Sequence, residues 1–141
     1  MADYKYKIND LDKAIWKSDL AESQNEYQAY FNEVFNHLDD FDYILSKQTY
    51  LGGDAISEDD IDLYKILIKF DIIYYFAFKL NKKHIWEYEN LFRLEKELYQ
   101  NKLTEEFNDL DAIKKYFYTF RTTIKNPYHI IHRGGDPRDR F

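Results

Sequence analysis

Fourteen tyrosines are the chief chemical resource of this 141-residue sequence. A phenol donates a hydrogen bond or a proton and offers an aromatic face, so phenols gathered at a cleft suit an aromatic or carbonyl ligand. Tyr64, Tyr74, Tyr75, Tyr88, Tyr99, Tyr116 and Tyr118 all fall on or beside predicted helices. The same amphipathic ring also serves at a core boundary, and composition does not select which tyrosines do which. Cysteine is absent. That excludes disulfides, thiolate metal sites and a thiol nucleophile from this chain.

The four histidines stand at 37, 84, 129 and 132, and only His129 and His132 are close, with no carboxylate pair at ligand spacing. No metal site is expected. The acidic stretch from Asp54 to Asp62 lacks the alternating ligands, central glycine and closing glutamate of a calcium loop. It reads better as a helix start, with Ser57 accepting from the backbone three residues on and the Asp60 carboxylate reaching back. Ile56 in front and Ile61 behind are placed for a hydrophobic staple. Asp71 lies within an apolar run, where a carboxylate needs a partner; the expected one is a neighbouring backbone group or a tyrosine hydroxyl, and the alternative is a place lining a site.

The elements that must position these groups are helices. Only four glycines and two prolines interrupt the chain, and apolar residues recur at spacings of three and four. The spacing predicts a short helix over 9 to 19, which Asn9 or Asp10 can cap, and a long one over 23 to 46 in which Tyr27, Tyr30, Phe31, Val34, Phe35, Leu38, Phe41, Asp42 and Leu45 keep helical spacing. Gly52-Gly53 breaks the pattern. A central helix over 58 to 79 follows, apolar on nearly all sides. Further helices are expected over 88 to 100, with Leu91, Leu94, Glu95 and Leu98 in register, and over 109 to 122, with Leu110, Ile113, Phe117 and Phe120 inward. A turn is expected at 104 to 107, Asn126-Pro127 lies past the last helix, and the remaining tail reads as irregular. The whole is one all-α bundle without an internal repeat.

Twenty basic against 26 acidic residues give a net charge of -6, so no overall field favours nucleic acid or anionic lipid. Neither is an expected partner. The first ten residues lack the apolar core of a signal peptide, and no run of about 18 apolar residues occurs. The expected compartment is the cytoplasm.

Several stretches together resemble the C-terminal helical domain of the xi-class glutathione S-transferases, the glutathionyl-hydroquinone reductases. They are AIWKSDLAESQ from Ala14 to Gln24, the helix EYQAYFNEVFNHLDDFDYIL, then YLGGDAISEDDIDLY, and KFDIIYYFAFK from Lys69 to Lys79. Glu87-Tyr88-Glu89-Asn90-Leu91, LEKELYQ, Ile113 to Tyr118, Asn126-Pro127 and the closing Arg138 to Phe141 continue the likeness over almost the whole chain.

The resemblance implies an all-α bundle of the transferase C-terminal type, packed in the family against a thioredoxin-like N-terminal domain that is absent from this chain. In the family that other domain binds glutathione and carries the cysteine that attacks glutathionyl-hydroquinones; the helical half lines the hydroquinone pocket and takes part in dimerisation. Carried over, the substrate-binding residues are Tyr74 and Tyr118, with Trp16 where the family has a third tyrosine. The chain alone is then expected to bind no cofactor and to be inactive, and its expected partners are the thioredoxin-like domain, a flat aromatic or quinol ligand and a second copy of itself. The alternative is a non-catalytic binding or dimerisation module on the same fold.

Overall fold

In a computed structural model, residues 4–120, 127–131 and 133–141 are described, and among them no strand occurs. Asn126, His132 and the Phe120 side chain, on which parts of the sequence reading fall, lie outside the described set. The expected all-α architecture is what forms: α1 (Lys5–Leu20), α2 (Gln24–Lys47), α3 (Glu58–Lys69), a π-helical segment (Phe70–Tyr74), a last turn α4 (Tyr75–Ala77), α5 (Glu89–Tyr99) and α6 (Leu110–Phe120). Helix α1 packs along α2, and α3 lies centrally against α1 and α5. Its Leu63, Tyr64, Leu67 and Ile68 are fully buried with Leu11, Ile15, Phe35, Leu38 and Phe41.

Helix α1 begins four residues before the expected start, so Asn9 and Asp10 lie inside it and do not cap it. The backbone N–H of Tyr4 is instead taken by the Asp59 carboxylate of α3 at 3.1 Å, a long-range contact that periodicity cannot show. Helix α2 falls within one residue of expectation at each end. Ser23 caps it by accepting the Glu26 N–H at 3.1 Å. Asp42, polar on the inward stripe of α2, accepts the N–H groups of Asn90 and Leu91 at 2.9 and 3.0 Å and so caps α5 from a different helix.

The reciprocal cap at α3 is present. Ser57 Oγ accepts the Asp60 N–H at 3.4 Å while the Asp60 carboxylate accepts the Ser57 N–H at 2.9 Å. Ile56, half of the anticipated staple, packs on the core. Upstream, Tyr50 and Gly53 bridge through two backbone hydrogen bonds, and Gly53 takes a φ of 97°, open to glycine at little cost. Ser57→Ala is expected to lower stability by about 1 kcal/mol. A denaturant midpoint indistinguishable from the parent would show that the cap contributes nothing.

The central helix is not a continuous α-helix to residue 79. Between Phe70 and Tyr74 it widens into π geometry, and α4 ends at Ala77. Apart from Asp71 the sequence is apolar on every side there and offers no stripe in which one extra residue per turn would register. The distortion accompanies two bonds from outside the helix. Tyr118 donates to the Ile72 carbonyl at 2.9 Å, and the Asp71 carboxylate accepts the Ile85 N–H at 2.8 Å. Short 3-10 turns occupy Ile85–Glu87 and Lys102–Phe107, the second close to the turn expected at 104 to 107.

The end of the tail is ordered against the bundle, contrary to the irregular reading. Pro137–Arg140 forms a 3-10 turn, Arg138 bonds Asp136 and reaches Asp111 of α6 at 2.9 Å, and the Phe141 ring packs 4.7 Å from Tyr99. Gly135, at φ 80°, sits so close to the π segment that a Cβ there would lie 2.5 Å from the Asp71 carbonyl oxygen. These are tertiary contacts made by single residues, which leave no periodic trace.

Candidate functional site

Of the residues carried over, α1 brings Trp16 against Tyr74 of the π segment, and α6 adds Phe117 beside Trp16, while Tyr118 of α6 is joined to the π segment through its hydroxyl. The Trp16 ring stands edge-on to Tyr74 at 6.3 Å between centroids and to Phe78 at 5.1 Å, and lies tilted 6.3 Å from Phe117. Tyr74 continues the group onto Phe78 at 5.0 Å and Phe70 at 6.1 Å. Such edge-to-face pairs hold rings in fixed relative orientation. The Tyr118 hydroxyl is committed to Ile72, two residues before Tyr74, so α6 is tied to the segment that carries Tyr74.

Tyr74 is 3% exposed and Tyr118 8% exposed. Burial pushes the Tyr118 phenol above its ordinary range, so it stays protonated and acts as a donor at neutral pH. The arrangement offers aromatic edges and neutral O–H groups, with no thiol to act as nucleophile. Among the described residues no group of three or more histidine, aspartate or glutamate side chains is placed to hold a metal, and no helix is long and apolar enough to cross a membrane.

Sequence reasoning missed a second polar-aromatic cluster next to the first. Asp71 is fully buried; one oxygen takes the Ile85 N–H and faces His84 Nδ1 at 2.9 Å, while the other has no hydrogen-bond partner among the described residues. A backbone group was among its expected partners; a histidine was not. Burial pushes Asp71 up, and the contacts with His84 and Ile85 only partly offset it. The His84 ring is stacked between Tyr75 at 3.6 Å and Trp86 at 3.8 Å, and the Arg140 guanidinium lies 4.2 Å from the Trp86 ring. The only signal for this was an acid in an apolar run. Glu95, on the buried face of α5, has no partner for either oxygen among the described residues; burial and the neighbouring Asp71 push it well above the usual carboxylate range.

No protein-family profile matches the sequence. The Escherichia coli glutathionyl-hydroquinone reductase YqjG is 32% identical over 124 residues, which is 88% of this chain and 38% of that protein. The glutathione-bound structure of YqjG superposes with a TM-score of 0.83 at 28% identity, covering 98% of this chain and 47% of that one. Glutathione transferase Xi 1 from Trametes versicolor gives a TM-score of 0.82 at 29% identity over 90% of this chain and 44% of its own. This chain is homologous to the C-terminal helical domain of the xi-class glutathione transferases. It spans less than half the length of these relatives. The π segment, the Tyr118 bond to Ile72 and the Trp16 contacts therefore describe how a xi-class helical domain arranges its aromatic face in this sequence.

Proposed function

We propose that this chain works as the substrate side of a xi-class glutathionyl-hydroquinone reductase, with Trp16, Tyr74 and Tyr118 lining a pocket for a flat quinol. The observation that supports the proposal is the contact of Trp16 with Tyr74, with the Tyr118 hydroxyl bonded to the backbone two residues before Tyr74. The 32% identity to a reductase of that name supports the substrate class. Glutathione and a thiolate would be supplied by a thioredoxin-like domain. The thiolate would attack the glutathionyl sulfur, forming a mixed disulfide as the carbon–sulfur bond to the ring breaks, and the ring carbon would take up a proton from solvent so that the ring leaves as hydroquinone. On this side the Tyr74 phenol would donate toward a ring oxygen, the Tyr118 hydroxyl, whose proton is engaged with Ile72, would offer its oxygen as an acceptor, and the indole would supply a contact surface in place of a third phenol. A second copy of the chain is the further partner we infer.

The purified chain is expected to give no turnover of glutathionyl-menadione above buffer with free glutathione, since tyrosine and tryptophan cannot replace the thiolate. Added in trans, a cysteine-bearing thioredoxin-like domain of the xi class should confer turnover that Tyr74→Phe lowers. Turnover by the chain alone would refute the division of labour. A stable complex of the two that stays inactive would favour the alternative, a binding or dimerisation module that keeps the fold.

A further inference from the structure

His84 grips the π segment at both ends. Within the segment the Tyr75 N–H donates to the Phe70 carbonyl, five residues back, so the four-residue ladder of an α-helix is displaced by one residue. The displaced groups are met from outside: the Ile72 carbonyl takes the Tyr118 hydroxyl at 2.9 Å, and the Tyr74 carbonyl takes the Leu80 N–H at 3.1 Å. His84 Nδ1 meets Asp71 at 2.9 Å, and its ring stacks on Tyr75 at 3.6 Å. Tyr74, between them in sequence, turns its ring toward Trp16. His84 is itself held, because the Glu87 carboxylate accepts its backbone N–H at 2.7 Å and Trp86 stacks on it at 3.8 Å. The tail closes over the same place, with Gly135 against the Asp71 carbonyl and Arg140 over Trp86.

We propose, building on the reading of Tyr74 as a quinol contact, that Asp71 and His84 are positioning residues for that pocket: clamping the π turn, they set the direction from which Tyr74 meets Trp16. Asp71 is poorly arranged to add stability. The bonds from Ile85 and His84 both fall on Oδ1, and Oδ2 has no hydrogen-bond partner among the described residues. A buried charge-bearing pair gains little net stability, and its best-attested use is to single out one arrangement over another. The other arrangement here is regular α-helix through residues 70 to 74. It would turn the end of the segment by up to about 100° relative to α3, the step of one α-helical residue. That rotation would separate either Asp71 from Ile85 or Tyr75 from His84, and it would swing Tyr74 away from Trp16.

The test is fluorine NMR of the chain labelled with 5-fluorotryptophan. The two tryptophan signals are assigned with Trp16→Phe. His84→Phe keeps a ring between Tyr75 and Trp86 but removes the nitrogen that meets Asp71. It is expected to shift or broaden the Trp16 signal, across the π turn from the substitution, and Asp71→Leu should do the same. Asp71→Asn, whose one carbonyl oxygen can take both bonds, should keep the Trp16 signal of the parent. Ser57→Ala, destabilising but at the other end of α3, should leave it in place. A Trp16 signal that ignores His84→Phe, or that Ser57→Ala or Asp71→Asn moves as far, overturns the proposal.

A second measurement asks whether His84 acts through Tyr74. With the cysteine-bearing domain added in trans, His84→Phe is expected to raise KM for glutathionyl-menadione severalfold, and to add nothing in a Tyr74→Phe background. Full additivity of the two substitutions would also overturn the proposal. Turnover indifferent to Tyr74→Phe, with the Trp16 signal still answering to His84, would remove the quinol reading and support the clamp on the π turn.

Discussion

Asp60→Ala is expected to cost about 3–5 kcal/mol of unfolding free energy, several times the effect of removing its partner Ser57. The side chain is fully buried and serves four donors. One oxygen takes the Leu51 N–H at 2.7 Å; the other takes the Ser57 N–H at 2.9 Å, the Ser57 hydroxyl at 2.8 Å and the Gly52 N–H at 3.2 Å. Alanine would leave the donors of a turn and a helix start facing a void, and a buried donor without an acceptor costs more than a made bond returns. The turn cannot readily shift to compensate, because Gly52 already lies where a Cβ would meet the Ala55 carbonyl oxygen at 2.5 Å. Urea unfolding with an unchanged m-value should resolve the loss. A deficit no larger than that of Ser57→Ala would mean that Asp60 acts only as a helix cap.

Asp60 also marks what a sequence can and cannot show. Its pairing with Ser57 is local, three residues apart, so the start of α3 could be read directly. The bonds to Leu51 and Gly52 depend on how the glycine turn folds back, which spacing does not encode. Helix α2 was legible because its apolar stripe keeps helical spacing for six turns, and the structure adds the cap at Ser23. The central helix was legible as a buried element but not as one interrupted by a π turn, since, Asp71 apart, an extra residue among Phe70 to Tyr74 leaves every side apolar. His84 falls in a polar break, and its partners Asp71, Tyr75 and Trp86 lie on separate elements, so only the burial of Asp71 hinted at the cluster. For the aromatic group, periodicity could place Tyr74 and Tyr118 on helices but could not choose them from fourteen tyrosines. Family resemblance made that choice, and the structure adds that the Tyr118 hydroxyl is engaged with Ile72.

Glu95 was legible in place, in register with Leu91, Leu94 and Leu98, while its protonation is a property of the folded environment. Glu95→Leu is expected to stabilise the chain by about 1–3 kcal/mol near neutral pH, the range of the penalty for an unpartnered buried polar group. The side chain is 0% exposed and neither oxygen has a partner among the described residues, so burial, reinforced by Asp71, favours the protonated acid. In the unfolded chain the same group ionises near the ordinary glutamate value of about 4.3. Its folded pKa is therefore raised, and its contribution to stability is full below the unfolded value and is lost as pH rises toward the folded one. Over that window the unfolded state has released a proton that the native state keeps, and stability falls by about 1.4 kcal/mol per pH unit. Asp71, also raised, contributes in the same direction and remains in the variant, so the informative quantity is the difference between variant and parent. That difference should grow with pH in urea titrations from mildly acidic to mildly alkaline conditions. Glu95→Gln separates the two causes, because it removes the proton equilibrium and keeps a polar group in the core. It should flatten the pH dependence as leucine does while gaining less at neutral pH. A difference that stays constant across the range would place the Glu95 proton equilibrium at its unfolded value and overturn the buried-acid reading.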